Sequence, residues 1–190
     1  HGLGTVLNSA TEWDHASLLN SNIVLELDAL SDSDKVFVVE AMILWIYEFR
    51  KNRGKREEFS HAMVIEEAHH VLSHKKEGVE GVETIMETCL RQIREFGESV
   101  ICVDQEPTKL SNSIKANTAC KIAFGLGDGR DVQDMSASMA LTLEERDFLD
   151  WLDVVEAIVS IKGRLRSPLH VKFSKIAIRK GSVQDDELAR

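Results

Sequence analysis

Glu66 and Glu67 close the apolar run Ala62-Met63-Val64-Ile65, and Ala68-His69 follows them. Four apolar residues without a polar break read as a strand buried on both faces of a parallel sheet. Ligands of open α/β sheets bind at the carboxyl ends of such strands, so both carboxylates fall where a substrate would lie. One carboxylate there can hold Mg²⁺ through water, and the other can orient a water for attack on a γ-phosphate. Glu66 is assigned the metal and Glu67 the water. Two acids at this position can also do no more than open a helix, where they favour the positive end of its dipole. Gln105 occupies the corresponding place after Ser99-Val100-Ile101-Cys102-Val103. Its amide can sense a γ-phosphate by hydrogen bonding, or simply fill the turn before Glu106-Pro107. Arg91 and Arg94 lie three apart near the end of a helical pattern. They suit an arginine finger directed at a neighbouring subunit's γ-phosphate, or a solvated face with an Arg91–Glu95 pair worth a few tenths of a kcal/mol.

Other groups carry weaker signals. His69, His70 and His74 have no accompanying Cys and no H-E-x-x-H order, so His69 is expected to pack or hydrogen-bond beside the acidic pair. A metal hydrolase built on Glu66, Glu67 and His69 is a third option, kept because these residues cluster. Lys162-Gly163-Arg164-Leu165-Arg166 concentrates positive charge in a turn. That is a solvated hairpin tip by default, or a contact to a nucleic-acid backbone, with Lys109 and Lys115 as alternatives. No stretch of the chain fits G-x-x-x-x-G-K-[ST], the loop that cradles nucleotide phosphates; Gly54-Lys55 is followed by Arg56.

Strand and helix patterns alternate to position these groups. Ile23–Leu27 reads as a strand. Ser31 can cap the next helix, with Asp32 and Asp34 in its first turn. Val36, Val39, Ile43, Ile46 and Tyr47 then recur through about 18 residues at helical spacing. After the Ala62 strand, Val79, Val82, Ile85, Met86, Leu90 and Ile93 mark a second helix that stops at Gly97, a C-terminal cap. The Ser99 strand and a Lys121–Phe124 strand follow. Helices are expected over Asp131–Met139 and Leu143–Leu149, the latter with a capping box of Thr142 and Glu145. Ala157–Ile161 and Leu169–Phe173 flank Gly163 and Pro168 as two antiparallel edge strands. The alternation predicts an α/β fold, a mostly parallel sheet flanked by helices with an antiparallel C-terminal edge.

The chain has 190 residues, 43% of them hydrophobic and 29% charged, enough for one domain with a real core. No apolar stretch approaches the ~20 residues of a membrane span. Cys89, Cys102 and Cys120 form no C-x-x-C pair, which points to a reducing, cytoplasmic setting. With 32 acidic and 23 basic residues the net charge is −9. A generic DNA-coating role is thereby excluded, and any nucleic-acid contact needs a local basic patch. The chain opens at His1 without a leader, as expected of a piece of a longer protein. It is read as one domain portion over residues 1–180, with a flexible tail at 181–190.

Three signals in fixed order resemble a known family: Met63-Val64-Ile65-Glu66-Glu67-Ala68-His69, Arg91-Gln92-Ile93-Arg94-Glu95-Phe96-Gly97 and Val103-Asp104-Gln105-Glu106-Pro107. Together they look like the HerA/FtsK superfamily of ring-shaped, RecA-like P-loop ATPases that move DNA, especially HerA-type translocases and conjugation ATPases. Asn117-Thr118 and Leu27-Asp28-Ala29-Leu30-Ser31 also fit the family pattern. Glu66 stands at the family's usual aspartate position, and Gln92 and Glu95 replace a typical acid and base around Arg94. The resemblance runs from about Ile23 to Phe173. It implies the C-terminal portion of a RecA-like motor using ATP and Mg²⁺, with Glu67, Glu66 and Gln105 catalytic. Arg94 is then the first choice for the finger and Arg91 the second. It also implies a ring, a hexamer, acting on DNA with a nuclease or secretion machinery as partner. Without its phosphate loop the chain alone is expected to be inactive. The alternative is a regulatory or assembly module that keeps the ATPase fold and does not hydrolyse nucleotide.

Overall fold

A computed structural model describes residues 15–53, 56, 58–73 and 85–177. A single helical turn, α1 (His15–Leu18), precedes the longest element, α2 (Asp32–Arg53). Helix α2 begins where its start signal lies: Ser31 Oγ accepts the Asp34 N–H at 3.3 Å, and Asp32 and Asp34 occupy the first turn. It runs for 22 residues, one turn past the expected end, and closes with Arg50, Lys51 and Arg53 near the negative end of its dipole.

Strands β1 (His61–Glu66) and β2 (Glu98–Val103) pair in parallel, from His61 opposite Glu98 to Glu66 opposite Val103. Between them lies α3 (Ile85–Gln92), continued by a 3₁₀ turn over Ile93–Phe96. Gly97 ends that turn at φ 80°, donating its N–H to the Arg94 carbonyl. A Cβ at Gly97 would lie 2.0 Å from the Glu58 carbonyl oxygen, so only glycine fits. Ile43, Ile46, Ile65, Cys89, Ile93 and Phe96 form the core under one face of this sheet. A short helix, α4 (Asn112–Asn117), completes the region.

Two expectations change here. Ile23–Leu27 joins no strand, and Val24 is 84% exposed. Its composition suits a strand, but a strand exists only through a partner's ladder, which local sequence does not supply. The β1 and β2 strands are buried on one face, not two: Val64, Ile101 and Val103 are 58%, 47% and 47% exposed. Helices cover the Met63, Ile65, Val100 and Cys102 side, while alternate residues point away.

A charged tie joins α2 to the start of the sheet. Glu98, 2% exposed, accepts from Arg50 Nε at 3.1 Å and contacts His61 Nδ1. Tyr47 donates to Gln92 Oε1 at 2.6 Å, linking α2 to α3.

The chain divides into two compact units, His1–Thr118 and Ala119–Arg190. The second holds an antiparallel sheet in the order β3 (Cys120–Phe124), β4 (Glu156–Ile161), β5 (Leu169–Lys172). Helices α5 (Gly129–Met139) and α6 (Leu143–Leu149) supply Val132, Met139 and Leu149 to a core that includes Ala123 and Ile158. The expected capping box is formed: Thr142 Oγ1 accepts the Glu145 N–H at 3.2 Å, and Glu145 Oε2 accepts the Thr142 N–H at 2.8 Å. The tail expected at 181–190 and the helical residues Val79 and Val82 lie outside the described residues. Among the described residues no helix is long and apolar enough to cross a membrane.

Candidate functional site

Parallel pairing sets the carboxyl ends of β1 and β2 side by side, because Glu66 stands opposite Val103. The residues just beyond those ends therefore meet. Glu66 is the last residue of β1, exposed on the side of Val64. Glu67 then turns the chain sharply in the left-handed region, φ 47° and ψ 48°. The turn sends its side chain towards the end of β2 and starts the 3₁₀ turn Ala68–His70, whose Ala68 is fully buried.

Gln105 Nε2 donates to Glu67 Oε1 at 2.7 Å, so two of the sequence-selected residues, 38 positions apart, touch directly. The other Glu67 oxygen, Oε2, lies 3.6 Å from His69 Nδ1. Asp104 meets His69 at the same ring nitrogen and also at the backbone, where its Oδ2 accepts the His69 N–H at 2.7 Å. The His69 Nδ1 is 3.1 Å and 3.0 Å from the two Asp104 oxygens. Asp104 Oδ1 also accepts the Glu106 N–H at 2.8 Å. The Asp104 side chain is only 4% exposed. Behind it, burial first and the Asp104 charge second push the Cys102 thiol up to about 11. That thiol is therefore inert near neutral pH.

Asp104 is the residue sequence reasoning missed as a participant. A signal was present: it follows a buried strand at the same relative position as Glu67, since Val103 pairs with Glu66. The expectation that His69 hydrogen-bonds beside the acidic pair is met, with Asp104 as its main partner.

Arg91 and Arg94 are not brought into this cluster. The change from α-helix to 3₁₀ turn between Gln92 and Ile93 separates them onto different helical geometries. Both are exposed. Glu95 pairs with Arg56 at 3.9 Å, and the Arg56 guanidinium lies 5.6 Å from the centre of the Phe96 ring. Lys115 is buried, with Nζ donating to the Pro107 carbonyl at 3.2 Å, which removes it as a phosphate contact. Lys109 pairs with Glu106. Lys162, Arg164 and Arg166 are exposed in the turn between β4 and β5.

No protein-family model matches the sequence, and no curated protein matches it significantly. Solved structures do match the fold. VirB4 of Thermoanaerobacter pseudethanolicus superposes with a TM-score of 0.58 at 16% identity, over 79% of this chain and 40% of that one. B204, the DNA-packaging ATPase of Sulfolobus turreted icosahedral virus, gives 0.56 at 15% identity over 84% of this chain and 76% of that one. The genome packaging NTPase B204 of Sulfolobus turreted icosahedral virus 2, in complex with ATP-gammaS, gives 0.55 at 16% identity over 76% and 72%. In its AMP complex the match spans 52% of that chain. The chain thus shares its α/β, RecA-like fold with these structures.

Proposed function

We propose that this chain is the C-terminal part of an ATP-driven motor ATPase of the HerA/FtsK type, whose longer parent couples ATP hydrolysis to DNA translocation as a homo-oligomeric ring, a hexamer. The observation that most supports this reading is the 2.7 Å Gln105–Glu67 contact at the ends of neighbouring parallel strands. It occurs in a fold shared with a DNA-packaging ATPase.

In this reading Glu67 orients and polarises the attacking water. Gln105 holds one Glu67 oxygen and exchanges that bond for the γ-phosphate, so it senses hydrolysis. Glu66, exposed at the end of β1, offers the hard oxygen that the water shell of Mg²⁺ requires. Arg94, with Arg91 second, completes a neighbouring subunit's site. Phosphates need clustered backbone N–H groups and a lysine, and the sequence has no G-x-x-x-x-G-K-[ST]. The phosphate loop therefore comes from sequence outside this chain. A nuclease partner fits a role in DNA-end processing, and secretion machinery fits a role in conjugation.

The missing loop also favours a second reading, a non-hydrolysing regulatory or assembly module on the same fold. One measurement tests both readings and a second separates them. The chain alone should turn over no ATP and bind it weakly by calorimetry; micromolar affinity would contradict both readings and point to another nucleotide site. A parent polypeptide that carries a strand and phosphate loop before His1 should hydrolyse ATP, whereas a gene that begins at His1 leaves the module.

A further inference from the structure

We infer that Glu67 Oε2, His69 Nδ1 and Asp104 Oδ2 form a binding site for one divalent transition-metal ion, of the Zn²⁺ class, distinct from the Mg²⁺ position at Glu66. The three donors lie within 4.8 Å of one another. His69 Nδ1 stands 3.0 Å from Asp104 Oδ2 and 3.6 Å from Glu67 Oε2. Donors bound at about 2.0–2.1 Å around one tetrahedral ion are separated by about 3.4 Å, so the two spacings to His69 Nδ1 need shifts of only a few tenths of an ångström, and the two carboxylates, within 4.8 Å of each other, close on the ion by side-chain rotation. The donor set, one imidazole and two carboxylates, suits a borderline ion and leaves a fourth position open.

Charge and anchoring support the same assignment. Glu67 and Asp104 converge with His69 as their only ionic partner among the described residues. Even a protonated imidazole leaves the group one negative charge in excess, and the Asp104 side chain is 4% exposed. A dication balances this group without any added side chain. Both carboxylate ligands are also held by groups outside the trio. Gln105 holds Glu67 Oε1 at 2.7 Å and turns Oε2 towards His69, while the Glu106 N–H holds Asp104 Oδ1 at 2.8 Å. Outer partners of this kind fix metal ligands in place. Glu66 takes no part, which separates this site from the hard-cation position. The site does not rest on the motor reading; in a motor an ion here would take the Glu67 oxygen that orients the attacking water, so ion binding and hydrolysis would compete.

The test is Zn²⁺ binding to the purified 190-residue chain, read by competition with a chromophoric chelator. The expected result is one saturable Zn²⁺ per chain, with affinity lowered at least about tenfold by Glu67→Gln, His69→Ala or Asp104→Asn. His170→Ala, at the separate His170–Glu156 contact, should leave it unchanged. Circular dichroism checks each variant's fold. Should His69→Ala or Asp104→Asn unfold, Glu67→Gln carries the test, because that side chain is 43% exposed. No saturable binding, or binding unaltered by Glu67→Gln, overturns the site and leaves the trio as a hydrogen-bonded brace.

Discussion

Glu67 is held at φ 47° and ψ 48°, a conformation that costs a non-glycine residue roughly 1–2 kcal/mol. Such strain persists where surrounding contacts enforce it, and here Gln105 and His69 receive the side chain it redirects. Glu67→Gln keeps the side chain's size and an oxygen that still accepts from Gln105, but removes the charge that polarises water. In a loop-bearing parent, hydrolysis should fall by about 10²–10⁴-fold while ATP binding survives. Single-turnover kinetics alongside nucleotide affinity would show it. Unchanged turnover would remove Glu67 from the chemistry and leave the acidic pair as the start of a turn.

Elements are fixed by a few non-local or capping contacts whose removal should be felt in folding. Glu98 is 2% exposed and satisfies Arg50, itself 8% exposed, together with His61. Arg50 Nη2 already has no partner, so Glu98→Ala strands a buried guanidinium. A loss of about 3–5 kcal/mol is expected from breaking one side of such a pair. Urea unfolding followed by circular dichroism measures it, and a loss below about 1 kcal/mol would mean that water compensates the arginine. In the other unit, Thr142→Ala removes the side-chain acceptor of the α6 capping box. It should cost about 1 kcal/mol, and Thr142→Ser should restore most of that loss. Equal stability of the two variants would show that Glu145 alone holds the helix start.

At the level of the whole molecule, the exposed Arg94 has a role only if a second subunit meets it. In the parent, Arg94→Ala should abolish DNA-stimulated hydrolysis without unfolding the subunit. Mixing Arg94→Ala with Glu67→Gln subunits should recover part of the activity, because some interfaces then combine an intact arginine with an intact glutamate. If mixed rings form and stay inactive, the arginine acts within its own subunit or the ring needs every site intact. Full activity of Arg94→Ala alone would return Arg94 to the solvated face and make Arg91 the next candidate.

Local chemistry determined much of this protein from its sequence. The Ser31 and Thr142 caps, the glycine stop at Gly97 and the antiparallel pair around Gly163 all appear where residue types placed them. These signals act within a few residues, where side-chain and backbone groups satisfy one another whatever the rest of the chain does. The acidic pair and Gln105 were legible as strand-end residues for the same reason. Tertiary structure alone decided what pairing across the chain decides. Ile23–Leu27 has a strand's composition but gains no ladder, and β1 and β2 bury one face because helices cover one side. The partnership of Asp104 with His69, 35 positions apart, exists only because parallel register aligns the two strand ends. Register is a property of two segments together, so neither segment's sequence contained it.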